Sequence, residues 1–256
     1  MQSIRTLSLA LILASTTGVA SAEQAQIAIA ANFTAPMKQI IAAFEQQTGH
    51  RIRASYGSTG KLYAQIKNGA PFAALLAADQ VRPKRLEDEG STVPGSRFTY
   101  AIGTLVLWSA DPDFVDDQGK VLETGAFNKL SIANPKLAPY GEASIETLEA
   151  LSVKQAVEPK LVMGENIAQA YQFVDTGNAK VGFIALSQVM QDGEISKGSG
   201  WIVPGDLHTP IRQDAVILEK GKDNAAVTDL FAYLKGDQAR AVIHTYGYET
   251  TSAADQ

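Results

Sequence analysis

Residues 51–67 read RIRASYGSTGKLYAQIK and combine three structural signals in one short stretch. Residues 51–56 alternate between apolar and polar positions, which is typical of a strand. Leu62 and Ile66 repeat at helical spacing within residues 61–67, so a helix follows. Glycine, serine and threonine separate the two. The stretch therefore predicts a β-strand, a polar loop and an α-helix, the unit from which parallel α/β sheets are built.

The same alternation continues on both sides of this stretch and predicts two α/β units. Further strands are predicted at residues 26–30, 72–77, 99–109, 129–133, 180–184, 200–203 and 211–218, and further helices at 35–47, 81–90, 142–151, 166–174, 225–234 and 238–246. The last two helices are separated from the first unit by the whole second unit. We therefore expect two lobes, joined by strands that cross near residues 100 and 213.

Composition excludes several classes of function. The 256 residues are 45% hydrophobic, carry a formal net charge of −5 and contain no basic run, so we expect no nucleic-acid partner. The chain has no cysteine, which removes thiol catalysis and thiolate metal sites. The mature length is sufficient to bury a core without disulfides.

The first 22 residues have the features of a secretory signal peptide. Arg5 gives a short positive region, residues 7–13 are apolar, and residues 20–22 (Ala-Ser-Ala) form a cleavage site of small residues. We expect cleavage after Ala22. The combination of a signal peptide with the absence of disulfides favours the periplasm over a eukaryotic extracellular space.

The loop GSTGK, residues 57–61, has the composition of a phosphate-binding loop but not its spacing. A P-loop needs the pattern GxxxxGK[ST]. Position 55 is serine instead of the first glycine, and Leu62 follows Lys61 where a hydroxyl is required. A nucleotide site is therefore not expected. Two alternatives stay open: Ser58 or Thr59 caps the following helix, or the helix start binds another anion.

Three other predicted helices open from similar polar loops, at residues 32–36, 139–142 and 164–167. Ligands of α/β sheets bind beyond the carboxyl ends of the strands, where such loops lie. Each helix start carries about half a positive charge. Four of them, two from each lobe, can hold a dianion without lysine or arginine.

Stretches along almost the whole mature chain carry a family resemblance. The sequence resembles the periplasmic molybdate-binding proteins of ABC transporters in AANFTAPM (30–37), YGSTGKLYAQI (56–66), APFAALLAADQ (70–80), NPKLAPYGEA (134–143), GENIAQA (164–170), PIRQDAVIL (210–218) and YLKGDQARAVIHTYGY (233–248). It departs from the family in FAALLAADQ, where an acidic residue is usual.

The resemblance implies the fold and its division. The expected fold is the two-lobed α/β fold of type II periplasmic binding proteins, in which central mixed sheets are joined by two hinge strands. Residues 23–103 and 214–256 would form lobe 1, and residues 104–213 would form lobe 2.

The resemblance also implies an oxyanion site between the lobes. Its residues would be Ala31, Asn32, Ser58 and Thr59 from lobe 1, and Tyr140 and Ile167 from lobe 2. Asn32 and Thr59 would donate through side chain and backbone N–H, whereas Tyr140 and Ile167 would donate mainly through backbone N–H. Ala185 stands where some members have a tyrosine hydroxyl.

The function implied is capture of molybdate or tungstate and delivery to an inner-membrane ABC permease, by a monomer without a cofactor or a resident metal. Enzymatic function is not expected, because His50, His208 and His244 lack the spacing of catalytic or metal-binding motifs. An organic-acid receptor normally uses an arginine to bind the carboxylate, and neither Arg51 nor Arg53 lies at the start of a loop, which disfavours that class. A receptor for another tetrahedral oxyanion, such as sulfate, remains the alternative.

Overall fold

The computed structural model describes residues 22–191 and 193–251, so residues 1–21 of the predicted signal peptide lie outside the described residues. The strands are β1 (Gln24–Ala30), β2 (Arg51–Gly57), β3 (Ala74–Leu76), β4 (Phe98–Gly103), β5 (Leu105–Ser109), β6 (Leu130–Ala133), β7 (Leu161–Gly164), β8 (Val181–Ala185), β9 (Met190–Gln191), β10 (Glu194–Ile195), β11 (Ser199–Ile202) and β12 (Ile211–Ile217). The helices are α1 (Thr34–Thr48), α2 (Thr59–Lys67), α3 (Val81–Asp88), α4 (Val121–Thr124), α5 (Pro139–Ala150), α6 (Lys154–Val157), α7 (Ile167–Asp175), α8 (Ala225–Lys235) and α9 (Asp237–Thr245).

Lobe 1 is built on a five-stranded mixed sheet with the order β2-β1-β3-β12-β4. Strand β1 pairs in parallel with β2 and β3, whereas β12 runs antiparallel to β3 and β4. Alternate residues of β1 are buried on opposite faces: Ile27 and Ile29 pack with α1, α8 and α9, and Ala28 packs with α2 and α3. Both faces of the sheet are therefore covered by helices, as the βαβ pattern predicted.

Lobe 2 repeats this architecture with the strand order β11-β5-β8-β6-β7. Strand β6 is parallel to β7 and β8, and β5 is antiparallel to β8 and β11. In β5, Leu105 and Leu107 lie in one buried cluster while Val106 and Trp108 lie in another. A strand buried on both faces is apolar throughout, which explains the continuous run LVLW.

The chain crosses between the lobes twice. The predicted single strand over residues 99–109 is wrong, because it is two strands that belong to different sheets and are separated by Thr104. The return crossing follows β11 and ends in β12, which lies wholly in the sheet of lobe 1. The exact lobe boundaries at residues 103/104 and 213/214 stay a prediction.

Most other predicted elements are observed within a few residues of their predicted bounds. Among the strands and α-helices, the elements that were not predicted are short: β7, which is only partly buried, the small β9–β10 hairpin, and the four-residue helices α4 and α6. None of the helices in the described ranges is both long and apolar enough to cross a membrane.

Candidate functional site

The six residues predicted for the site line one small cavity between the lobes. The empty volume of this cavity is about 200 Å³. The cavity is lined by Ala30, Ala31, Asn32, Gly57, Ser58, Thr59, Ala78, Ala138, Pro139, Tyr140, Asn166 and Ile167. All six predicted residues belong to this set. That they bind a ligand remains a proposal.

Helices begin on all sides of the cavity. Residues 31–33 form a 3-10 turn that leads into α1, and α2, α5 and α7 begin at Thr59, Pro139 and Ile167. The first N–H groups of a helix have no acceptor within it. Among the described residues, none accepts a hydrogen bond from the backbone N–H of Thr59, Tyr140 or Ile167. These groups can donate to an acceptor in the cavity.

Ser58 gives the clearest indication that the cavity is a ligand site. The residue is only 3% exposed, and its Oγ has no hydrogen-bond partner in the described structure. It occupies the N-cap position of α2 without making a capping hydrogen bond, so the capping alternative for Ser58 is wrong. Buried hydroxyl groups are almost always satisfied. An unpaired one in the cavity lining is therefore explained best by a ligand that supplies the partner.

Thr59 has both a structural contact and donor capacity. Its Oγ1 accepts the backbone N–H of Ala78 at 2.9 Å, which fixes the start of α2 against the residues that follow β3. The hydroxyl hydrogen finds no acceptor among the described residues and remains available to the cavity. Ala78 lines the cavity but was not predicted; the FAALLAADQ stretch that contains it was the only signal.

The Asn32 side chain differs from the expectation. Its Nδ2 group donates to Gln213 Oε1 at 2.7 Å and to the Tyr248 hydroxyl at 2.9 Å, so both amide hydrogens are engaged within the protein. A buried amide must satisfy its donors, and two acceptors from distant segments do so here. The backbone N–H of Asn32 is the donor that this arrangement leaves for a ligand.

On the lobe 2 side of the cavity, Asn166 is the N-cap residue of α7. Its Oδ1 accepts the backbone N–H groups of Ala168 and Gln169 at 3.0 and 3.1 Å. This cap satisfies the backbone N–H groups of Ala168 and Gln169 but not that of Ile167. Ala185 ends β8 and is buried outside the cavity lining, so that position adds no hydroxyl to the site.

The cavity lining contains no charged side chain. Lys61, the lysine of the GSTGK loop, instead pairs across the cleft with Glu165 of lobe 2 at 2.7 Å, with both side chains about half-exposed. The Gly60 N–H donates to the Leu137 carbonyl at 2.8 Å, and a Cβ at Gly60 would lie 3.0 Å from Leu137 Cα. The lobes therefore touch at the rim, and glycine is needed for this close approach.

The three histidines lie apart from the cavity and serve other contacts. His50 bonds Asp229 at 3.0 Å, while His208 and His244 contact backbone carbonyls. No group of three or more histidine, aspartate or glutamate residues in residues 22–191 and 193–251 is arranged to hold a metal ion.

Comparisons with known proteins agree with this geometry. Residues 25–249 match the family of bacterial extracellular solute-binding proteins. The molybdate-binding protein ModA of Azotobacter vinelandii is 61% identical over 229 residues, which cover 90% of this chain and 91% of that protein. ModA of Rhodobacter capsulatus is 51% identical over 232 residues, or 90% of each chain. A solved periplasmic molybdate-binding protein of Azotobacter vinelandii is 39% identical and superimposes with a TM-score of 0.86, covering 89% of this chain and 100% of that one.

The superposition confirms the predicted two-lobed α/β fold. The sequence identities confirm the family resemblance, and the relatives are solute-binding proteins rather than enzymes. These relatives carry the name of molybdate-binding proteins, and this chain belongs to the bacterial extracellular solute-binding protein family.

Proposed function

We propose that this protein captures molybdate in the cavity between its lobes and delivers it to an ABC permease of the inner membrane. The observation that carries the proposal is the composition of the cavity: neutral side chains, helix starts from both lobes, and an unpaired buried hydroxyl on Ser58. Such a lining offers mostly hydrogen-bond donors.

A dianion suits this lining for electrostatic reasons. The N-terminus of each helix carries about half a positive charge, so several helix starts together balance a double negative charge. The proposed donors are the backbone N–H groups of Ala31, Asn32, Thr59, Tyr140 and Ile167 and the hydroxyl groups of Ser58 and Thr59. Fixed neutral donors also permit release, because they hold the anion without a buried countercharge.

The same donors select against protonated anions. Hydrogen phosphate would place its O–H against an N–H donor and lose a hydrogen bond, at a cost of about 1–3 kcal/mol. Sulfate is fully deprotonated, so it must be rejected by size: its oxygens lie closer to the centre and reach a rigid ring of donors less well. Tungstate is nearly the same size as molybdate, and we therefore propose that both bind.

Location and assembly follow from the same role. Binding in the periplasm requires export, for which we propose removal of residues 1–22 as a signal peptide. The cavity is formed by both lobes of one chain, so a monomer is sufficient for binding. The permease would then receive the loaded, closed form.

Isothermal titration calorimetry of the purified protein tests the proposal. Molybdate and tungstate should bind tightly with 1:1 stoichiometry, and sulfate and hydrogen phosphate should bind far more weakly. Sulfate that binds as tightly as molybdate would establish the sulfate-receptor alternative. The absence of binding by all four anions would reject the oxyanion function altogether.

A further inference from the structure

A buried polar cluster lies beside the cavity, where the lobes meet. Its members, here called the hinge cluster, are Asn32, Tyr140, Ser187, Gln213 and Tyr248. Each of these residues is at most 5% exposed. Three of them, Ser187, Gln213 and Tyr248, lie outside the cavity lining.

The Tyr248 hydroxyl occupies the centre of this cluster. It accepts a hydrogen bond from Asn32 Nδ2 at 2.9 Å, and it lies 2.8 Å from the Asn32 carbonyl oxygen and 3.0 Å from Ser187 Oγ. Ser187 Oγ in turn donates to the same Asn32 carbonyl at 3.0 Å. The turn that carries the Asn32 backbone N–H is thus held from both lobes, because Ser187 belongs to lobe 2 and Tyr248 packs in the core of lobe 1.

Gln213 extends the cluster to the site helix of lobe 2. Its Oε1 accepts from Asn32 Nδ2, and its Nε2 donates to the Tyr140 hydroxyl at 3.4 Å. The Tyr140 ring reaches this point only because residue 103, at the end of β4, is glycine. A Cβ at Gly103 would lie 2.1 Å from the Tyr140 hydroxyl. The side chain of Tyr140 is therefore anchored at the hinge while its backbone N–H faces the ligand site.

Burial and the neighbouring rings favour a neutral cluster. Burial raises the pKa of Tyr248 to about 12, and burial together with the nearby Tyr248 hydroxyl raises the pKa of Tyr140 well above its ordinary value. Phe33 packs edge-on against the Tyr248 ring with the ring centroids 5.3 Å apart. Hydrogen bonds in such surroundings are stronger than in water, and losing one leaves a buried polar group unsatisfied.

We propose that Tyr248 is a positioning residue of the oxyanion site, which sets ligand affinity by tying the Asn32 turn of lobe 1 to Ser187 of lobe 2. The inference rests on the proposed function. Tyr248 does not line the cavity; it fixes two groups of donors relative to each other and stabilises the closed arrangement of the lobes. Because the ligand leaves through an open arrangement, loss of this tie should accelerate dissociation.

The Tyr248→Phe variant tests the proposal, since it removes the hydroxyl and keeps the packed ring. We expect the dissociation constant for molybdate to rise about tenfold, as for one lost buried hydrogen bond. The change should appear in the dissociation rate, with the association rate within about twofold of wild type, when both are followed by stopped-flow fluorescence. Tyr246→Phe is the matched control, because this half-buried ring lies two residues away and outside the cluster, and it should leave both rates unchanged.

A double-mutant cycle separates positioning from a general structural defect. Ser187→Ala removes the partner on the other lobe. The increase in dissociation rate of the double variant should be smaller than the product of the increases caused by Ser187→Ala and Tyr248→Phe alone. Should Tyr248→Phe fail to fold, as judged by circular dichroism, faster dissociation from Ser187→Ala alone supports the proposal and an unchanged rate rejects it. If the wild type binds molybdate but Tyr248→Phe dissociates at an unaltered rate, this inference is overturned and the proposed function stands. The same holds if the effects of Tyr248→Phe and Ser187→Ala are fully independent. Failure of wild type to bind any oxyanion would remove both.

Discussion

The two halves of the cavity present different sets of hydrogen-bond donors. Lobe 1 presents hydroxyl side chains in addition to backbone N–H groups: among the described residues Ser58 Oγ has no partner, and Thr59 has a hydroxyl hydrogen to donate. Lobe 2 contributes the backbone N–H groups of Tyr140 and Ile167, and their side chains point into the hinge cluster and the hydrophobic core. Side-chain donors can be removed by mutation, whereas backbone donors cannot. Binding should therefore be more sensitive to substitution in lobe 1 than in lobe 2.

The largest effect is expected at Thr59. Thr59→Ala removes a proposed donor to the anion and also leaves the buried N–H of Ala78 without its acceptor, so we expect molybdate to bind about 100-fold more weakly. Thr59→Ser keeps the hydroxyl and should remain within about fivefold of wild type. Calorimetric titration measures both variants. Equal affinities of the alanine variant and wild type would show that lobe 1 does not bind through this hydroxyl.

A smaller effect is expected at Ser58, with an unusual consequence for stability. Ser58→Ala removes one hydrogen bond to a charged ligand, which predicts about tenfold weaker binding. The ligand-free protein should lose no stability, because the hydroxyl has no partner there to lose. Calorimetry and urea denaturation without ligand measure the two quantities.

Ser55→Ala is the control for Ser58→Ala, since Ser55 lies on β2 outside the cavity. It should leave affinity unchanged. A marked loss of ligand-free stability in Ser58→Ala would contradict the view that its hydroxyl is reserved for a ligand.

A still smaller effect is expected in lobe 2. Ile167→Val keeps the backbone N–H and most of the apolar volume, so the affinity for molybdate should stay within about threefold of wild type. The measurement is the same titration as for Thr59. A loss as large as that of Thr59→Ala would contradict the proposed difference between the lobes, because it would show that side-chain identity matters equally in both.

The sequence predicted the local parts of this site better than the distant ones. The strand, loop and helix around residues 51–67 were readable because a period of two changes to a helical period at a polar loop. The break at Thr104 could not be predicted, because the sequence is largely apolar on both sides of it. Which sheet each half joins is decided by contacts with the rest of the chain.

The hinge cluster shows the same limit at the level of side chains. Asn32 lies 181 residues from Gln213 and 216 from Tyr248, and no local pattern connects them. Sequence resemblance therefore predicted Asn32 as a site residue but assigned its side chain to the ligand. The structure assigns that side chain to the protein, because two segments that meet Asn32 only after folding supply its acceptors.

The smallest effect is expected from pH. Of the residues that line the cavity, only Tyr140 has an ionisable side chain, and burial raises its pKa well above the ordinary value. Neither half of the site should therefore change charge between about pH 7 and pH 9, and molybdate affinity measured across that range should be constant.

The stability of the fold, in contrast, should depend on pH above this range. The pKa of Tyr248 is raised from 10.0 to about 12, so folding favours the protonated form; that contribution is complete below pH 10.0 and is lost as pH rises through about 12. Urea denaturation should show this loss in wild type and less of it in Tyr248→Phe, and an affinity that falls between pH 7 and pH 9 would indicate a titrating group within the site itself.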